Sequence, residues 1–410
     1  MDFESRDTSE MAVFRKEVRS YLNEIIPKGL VVTADLSKNT DEQYEMRREI
    51  ARNLGTKGWL YPTMPHEYGG GGLTMEHAIV IAEELDEREL ESPPYNDAGA
   101  LAGPSIQVWG NEEQKKRFLT PMYTGQAVTW MLLTEPHGGS DLASAKTTAI
   151  RDGDEYVLNG TKTFVGADRP VDQYWAIVLS DPRGPRHQNL SWIVVPSNLP
   201  GITVQPLDLL SHGSPESSFM SAHNNSVFFE DVRVPAFNLI GGENNGWKVA
   251  STHLELEHGG AGTVRKNRLM ERFLTYCKTA KFNGRLIADD PDVKDLLADM
   301  VVDWDISRLF GMRNYWQRHA KRPGTYEGSQ SSYFRKMSGL RLALGMQKML
   351  GYFGLTNDSE WAAVDQWVEL FGRSAITAVH PGGTQDVQRV IMARRMGIGR
   401  TVKEEAGAIV

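Results

Sequence analysis

Apolar positions recur at helical spacing through the first third of the chain. Met11, Phe14, Val18, Tyr21, Leu22 and Ile25 stand among charged residues, the i, i+3, i+4 signature of an amphipathic helix. The glycine run Gly69–Gly72 breaks the pattern, and Thr74 is placed to cap a helix carrying Ala78, Ile79, Ile81 and Leu85. Asn111 opens a charged helix, NEEQKKRF, expected to stop before Pro121 because proline lacks the N–H an inner turn needs. Near Val128 the period changes. VTWMLL is a short run of strand formers, and Asp152-Gly153 and Asn159-Gly160 read as hairpin turns on either side of the strand EYVL. QYWAIVL, SWIVVP, GITVQPL and NSVFFEDVRV follow as strands, separated by proline and glycine, so the block predicts a β-sandwich or barrel. After the turn-rich IGGENNG the helical period returns. SSYFRKMSGLRLALGMQKML predicts a long helix whose Met337, Met346 and Met349 read as core filler. GGTQDVQRVIMARRMG predicts a last helix after a glycine turn. The expected layout is helical over 1–127, β over 128–238 and helical over 239–410, without an internal repeat.

Composition narrows the function classes. With 410 residues, 40% of them hydrophobic, the chain can bury a sizeable core. The net charge of −8, with both signs spread along the chain, argues against a nucleic-acid binder. A single cysteine, Cys277, excludes an internal disulfide and fits a reducing compartment. The polar start MDFESRDTSE does not look like a secretory signal, and no apolar run is long enough to span a bilayer, so a cytoplasmic protein is expected. No GxGxxG follows a strand, no Walker A or GxSxG sequence occurs, and the histidines lack metal-ligand spacing; His66-Glu67 begins like HExxH but Gly70 ends the match.

The strongest signal is LLTEPHGGSDLASAKTTAIRDGDEYVLNGTKTF. Its strand ending in TEP, then GSD, then NG-x-K resembles the signature of the acyl-CoA dehydrogenase family. The resemblance runs on through NEEQKKRFL, VFFEDVRVPAFNLIGGENNGWKV and GGTQDVQRVIMARR, covering essentially the whole chain. It implies an α+β, acyl-CoA dehydrogenase-like fold: an N-terminal helical domain, a central β-barrel or sandwich and a C-terminal four-helix bundle. It also implies FAD as cofactor and an oxidoreductase that removes hydrogen from the α and β carbons of an acyl-CoA thioester. By the same resemblance Met131, Leu133 and Thr134 line the flavin edge and Ser140 lies near the CoA or flavin phosphates. A strand end with free N–H groups and a hydroxyl suits the polar edge of an isoalloxazine. The second flavin-side strand, WIT or WIS in the family, here reads Phe164, Val165, Gly166, which keeps an aromatic cover but loses a hydroxyl at Gly166.

The α proton of a thioester is weakly acidic, so its base must be held against it. Many members place a glutamate in a C-terminal EGT turn; here that turn is Gly382, Gly383, Thr384, without the acid. A minority, of isovaleryl and long-chain type, carry the glutamate on a helix in a motif resembling LDLER. GWKVASTHLELEHGG follows that pattern and puts Glu257 at the base position, with His258 where arginine is usual. Glu255 is the competitor, but two residues of helix turn by about 200°, so one of the pair faces the flavin. Small residues at Gly382 and Gly166 widen the expected acyl cavity toward a branched, cyclic or bulky acyl group, with His258, Gly382 and Arg389 among the substrate contacts.

Some cofactor positions depart from the family. AKFNGR puts Ala280 at the arginine of R-x-x-F-G, with Lys281 and Arg285 nearby. Lys348 replaces a glutamine before the turn that starts at Gly351. Arg373, Gly383, Thr384 and Arg389 keep their places. The implied partners are an acyl-CoA substrate, electron transfer flavoprotein as acceptor, and further copies of the chain in a homotetramer. The altered cofactor positions keep two alternatives open: a partner subunit in a heteromeric dehydrogenase, or a flavoenzyme of the same fold with decarboxylating or monooxygenase chemistry.

Overall fold

The structure is a computed structural model, and it describes residues 7–31, 39–90, 93–94, 97–166, 169–210, 224–258, 268–320, 322, 324–358 and 360–399, leaving out the side chains of 256–258, 318 and 319. The chain packs as two compact units, residues 1–215 with 220–255, and 216–219 with 256–410.

The first unit begins with five helices: α1 (Ser9–Ile25), α2 (Asp41–Thr56), α3 (Met75–Asp86), α4 (Gly99–Trp109) and α5 (Glu112–Tyr123). Thr8 and Thr40 cap α1 and α2 through their side chains, and Asn111 and Gln114 form a reciprocal capping box at α5. Thr74 stands at the N-cap of α3 but its hydroxyl bonds His77 Nδ1 instead of the backbone. The α1 stripe of Met11, Val18 and Leu22 is buried as its spacing predicts. Helix α5 does not stop before Pro121. Proline stands in its last turn, where the helix gives up one N–H bond, and the Pro121 carbonyl accepts from Gln126 (2.8 Å) and Ala127 (2.9 Å) as the chain turns away.

Eight strands follow: β1 (Thr129–Leu132), β2 (Thr148–Asp152), β3 (Glu155–Val165), β4 (Gln173–Leu179), β5 (Leu190–Pro196), β6 (Ile202–Leu207), β7 (Asn224–Pro235) and β8 (Leu239–Ile240). They form one sheet in the order β6-β7-β3-β2-β4-β5-β8, with β1 pairing parallel to β4. Strands β4 and β5 are buried along almost their whole length, Trp175 and Trp192 fully so, and their rings lie 4.7 Å apart. A run buried on both faces loses the period-two alternation, which explains its near-continuous hydrophobicity. Asp152-Gly153 makes the β2–β3 hairpin as expected. Asn159-Gly160 does not turn the chain: β3 runs on to Val165, and Gly160, at φ 143°, takes up a slip in the pairing with β7. The asparagine's turn chemistry is spent sideways, on the Asp231 backbone N–H at 2.9 Å and the Asp231 carboxylate at 3.0 Å.

Helix α6 (Gly246–His258) leads out of the first unit, which ends at Glu255. Its start lies so near β5 that a Cβ on Gly246 would meet Leu190 and Ser191 backbone at 2.6 Å, which only glycine avoids.

The second unit continues through α7 (Arg268–Thr279), a hairpin of β9 (Lys281–Phe282) and β10 (Arg285–Leu286), α8 (Pro291–His319), α9 (Glu327–Leu350), α10 (Trp367–Thr377) and α11 (Gln385–Arg395). Pro291 opens α8, where its missing N–H is not needed, and the Asp290 carboxylate accepts from Asp292 N–H at 2.9 Å. Helix α9 packs on α8, α10 and α11, and Met346 is fully buried, as core filler should be. No helix among the described residues is long and apolar enough to cross a membrane, and no cluster of three or more His, Cys, Asp or Glu could hold a metal ion there.

Candidate active site

Strand β1 ends at Leu132, and the chain then runs through Leu133 and Thr134 into a tight turn closed by Glu135 and Gly138, whose backbones exchange hydrogen bonds of 3.2 and 2.9 Å. The Thr134 carbonyl accepts from Thr163 N–H of β3 at 2.9 Å. The Thr134 N–H has no acceptor among the described residues. Met131, Leu133 and Thr134 are half-buried, and Ser140 is exposed in the following loop, next to an Asp141 carboxylate that pairs with Arg186 at 2.5 Å.

A charge pair lies beneath this turn. Lys162 Nζ donates to Glu135 Oε1 at 2.8 Å and to the Leu133 carbonyl at 3.3 Å, and both charged side chains are buried. Glu135 also accepts from the backbone N–H groups of Lys146 (2.7 Å) and Thr147 (3.0 Å). Burial opposes ionisation of Glu135, but the Lys162 charge and these donors outweigh it and hold the carboxyl below its ordinary range. Burial pulls the Lys162 ammonium down, with Glu135 pulling the other way. The pair is best described as ionised, since each partner supplies what the other's desolvation requires.

Phe164 stands on the same strand two residues on, and its backbone is strained. Its φ is +56°, in the left-handed region, inside the register slip between Lys162 and Val165. Its ring is nonetheless 58% exposed. A bulky residue held left-handed costs roughly 1–3 kcal/mol, and here the result is an aromatic ring presented to solvent beside the Thr134 strand end. Gly166 is buried just beyond it.

Helix α6 is fixed in rotation by three contacts. Trp192 Nε1 donates to the Gly246 carbonyl at 2.9 Å, Trp109 Nε1 donates to Thr252 Oγ1 at 2.9 Å, and the fully buried His253 ring lies 5.1 Å from that of Trp192. Its buried stripe is Gly246, Val249, Ala250 and His253, whereas Glu255 is exposed. Position 257 comes one helical turn after His253, whereas 255 does not. The side chains of Glu257 and His258 lie outside the described residues.

In the second unit, Gly382 and Gly383 take positive φ (64° and 76°), and Thr384 caps α11 through Val387 N–H. Gln388, fully buried, donates to the Gly382 carbonyl at 2.8 Å, and Lys336 donates to the carbonyls of Ala378 (3.3 Å) and Pro381. Arg389 is exposed, lying over the Tyr333 ring (4.9 Å to the centroid) and donating to the Tyr333 hydroxyl at 2.5 Å and to Asp386 at 3.5 Å. Lys348 is exposed in the last turn of α9, and Gly351 ends that helix at φ 54°, ψ −128°. Ala280 is half-buried at the start of the β9–β10 hairpin, and Lys281 and Arg285 are exposed on it.

Met131, Leu133, Thr134, Phe164 and Gly166 thus gather at one strand end, and Gly382, Gly383 and Thr384 form one pinned turn. Lys162 and Glu135, which pair beneath the first group, had no role assigned from sequence, although both lie within the motif that carries the resemblance. Their signal was a lysine at an inward position of a strand, with an acid 27 residues earlier.

A flavin fits the first group on the chain's own evidence: an unpaired N–H at a strand end, beside an aromatic ring that the backbone strains to expose. Family models for the N-terminal, middle and C-terminal domains of acyl-CoA dehydrogenases match residues 8–126, 131–224 and 244–397. The chain is 27% identical over 399 residues to acyl-CoA dehydrogenase FadE29 of Mycobacterium tuberculosis, covering 94% of this chain and 96% of that one. It is 28% identical over 412 residues to acyl-CoA dehydrogenase IpdE1 of Mycolicibacterium smegmatis, covering 96% and 99%. Among solved structures, the Tcur3481-Tcur3483 steroid ACAD superposes with a TM-score of 0.80 at 27% identity, over 97% of this chain and all (100%) of that one. The ChsE4-ChsE5 complex from Mycobacterium tuberculosis superposes with a TM-score of 0.78 at 25% identity, over 97% and 100%. The helical, β and helical layout agrees with these likenesses, and the chain belongs to the acyl-CoA dehydrogenase family, as an oxidoreductase.

Proposed function

We propose that the protein carries out FAD-dependent α,β-dehydrogenation of an acyl-CoA thioester with a bulky, cyclic or branched acyl group. The observation that carries this reading is the strained, exposed Phe164 beside the Thr134 strand end. FAD, bound there, would supply the hydride acceptor. The backbone at Met131, Leu133 and Thr134 would orient the ring's polar edge, with Phe164 covering one side. Ser140 would meet phosphate oxygens. On the second unit Lys348, Gly351, Gly383 and Thr384 are the proposed cofactor contacts, and Gly382, Arg389 and His258 the substrate contacts.

Glu257 is the proposed base. It would remove the proton from the acyl α carbon; the electron pair of that C–H bond would become the second bond of Cα=Cβ as the β hydrogen leaves with its own electron pair, as hydride. The spacing of α6 supports it over Glu255, because position 257 comes one helical turn after the buried His253 while Glu255 is exposed. Glycines at 382 and 166 in place of larger family residues support an enlarged acyl cavity, and a steroid enzyme among the solved likenesses points the same way.

The electron acceptor is proposed to be an electron transfer flavoprotein. A homotetramer is the first proposal for the assembly. A second reading, a subunit that works with a non-identical partner, is favoured by the two-protein names of the structures it resembles and by Ala280 at a cofactor arginine position.

The test is the visible spectrum of the purified protein, before and after acyl-CoA thioesters ranging from straight chains to polycyclic acids. A flavin spectrum bleached by the bulky members supports the proposal. A wide preference for straight saturated chains would overturn the acyl assignment, and a colourless protein that takes up FAD only with a second chain would favour the heteromeric reading.

A further inference from the structure

Lys162 is a fully buried ammonium that plays no part in the reaction proposed above, and its placement is specific. It reaches one peptide unit from the strand end, touching the Leu133 carbonyl at 3.3 Å while bonded to Glu135 at 2.8 Å. The C=O and N–H of a trans peptide point in opposite directions. The peptide that offers its Leu133 carbonyl to the ammonium therefore offers its Thr134 N–H to the other side, and that N–H has no acceptor among the described residues. Hydrogen bonds in a chain polarise one another where the local dielectric is low. At 3.3 Å the contact is long as a hydrogen bond but close as a charge meeting a dipole.

The turn itself has no need of the ammonium. Glu135 already closes it through Lys146 and Thr147 N–H, and the Glu135–Gly138 backbone bonds hold it independently. Burying a lysine costs several kcal/mol before pairing, more than a neutral side chain of the same shape would cost.

We infer that Lys162 is a positioning residue for the flavin, acting through the Leu133–Thr134 peptide: its charge strengthens the Thr134 N–H as a donor to the electron-rich edge of the ring, and so tunes how tightly FAD is held and how readily it accepts electrons. Glu135 sets how much of that charge is felt. This rests on the flavin-binding reading above.

The test compares wild type with Lys162→Met, Glu135→Gln and the double variant. It reads FAD affinity, by titration of apoprotein, and the midpoint potential of the bound flavin. Lys162→Met should weaken FAD binding on the order of tenfold or more and lower the potential, by about 30 mV for each tenfold change in the ratio of reduced to oxidised affinity. Glu135→Gln leaves the cation less neutralised and should raise the potential. A pair that merely braces the turn would move both variants the same way, and that result overturns the inference.

The double variant leaves no unpaired buried charge; it should fold, with the potential lowered as in Lys162→Met, and a wild-type potential in it overturns the inference. The wild-type protein gives a check free of substitutions. Hydrogen exchange at the Thr134 amide should slow when FAD fills the apoprotein, and unchanged exchange there overturns the inference. Failure of the wild type to take up any FAD, alone or with a partner chain, would overturn the flavin reading along with it, whereas normal uptake with an unmoved potential overturns this inference alone.

Discussion

The His253 ring lies against Trp192, 5.1 Å between centroids, and that contact sets which residues of α6 face the sheet. Because Trp192 also holds the Gly246 carbonyl, one strand residue grips the helix at both ends of its first two turns. The rotation of α6 is therefore set jointly by Trp192 of β5 and by Trp109 of α4, which donates to Thr252. His253→Ala would remove the inner ring and leave a cavity under the helix. A large-to-small change in a buried site costs about 2–5 kcal/mol, so the midpoint of chemical denaturation should fall accordingly. Turnover by the variant that stays folded should drop more than its FAD content does, because the proposed base lies on α6 and the proposed flavin contacts of this unit do not.

Phe164 gives a prediction in which stability and binding move apart. Glycine adopts φ of +56° without penalty, so Phe164→Gly should relieve part of the roughly 1–3 kcal/mol held in that bulge. The ring is exposed, so its loss costs the apoprotein little packing. The apoprotein should melt at a temperature equal to or above wild type while its FAD affinity falls several-fold. Loss of stability with unchanged FAD affinity would show that the ring serves packing.

Asp97 ties the start of α4 to the start of β1. Its carboxylate accepts from Thr129 N–H at 2.8 Å and from the Tyr61 hydroxyl. Burial raises its pKa to about 6, against the lowering effect of those donors. The native protein therefore binds a proton at Asp97 more tightly than the unfolded chain, whose aspartates titrate near about 3.9. The sign follows: this group's contribution to stability falls as pH rises from about 4 to about 6, and above that the cost of burying the ion is constant. Asp97→Asn should track wild type near pH 4 and gain on it by about 1–2 kcal/mol above pH 6, a figure reduced for partial solvent access. Melting temperatures of both proteins across that range check it, and a difference independent of pH would count against the raised pKa.

The buried pair predicts a marked non-additivity. Lys162→Met strands an acid in the interior and should cost about 3–5 kcal/mol, whereas adding Glu135→Gln should recover most of that loss. Urea denaturation of the two single variants and the double variant measures the coupling directly.

Element types were largely legible because period and capping are local. The α1 stripe, the Asn111 box and the run from β4 through β5 needed only neighbouring residues. The misreadings arose where tertiary context decides. Asn159-Gly160 has turn chemistry, but Asp231, 72 residues away, takes its hydrogen bonds and the strand runs through. Pro121 ends no helix because it falls in a last turn whose bonds are returned from Gln126 and Ala127. The site divides in the same way. Thr134 and Phe164 were named by motif as candidate contacts, but the left-handed backbone of Phe164 and the Lys162–Glu135 pair depend on contacts that no local pattern announces. The choice of Glu257 over Glu255 rested on resemblance in the sequence and gains a physical support in the exposure of Glu255.

The most direct measurement is rapid-mixing absorbance of FAD-loaded Glu257→Gln and Glu255→Gln proteins with an acyl-CoA that bleaches the wild type. Glu257→Gln should keep its flavin spectrum and substrate affinity but bleach roughly 10²–10⁴ times more slowly, with Glu255→Gln close to wild type. Bleaching of Glu257→Gln at the wild-type rate, or collapse of Glu255→Gln in its place, would contradict the assignment of the base.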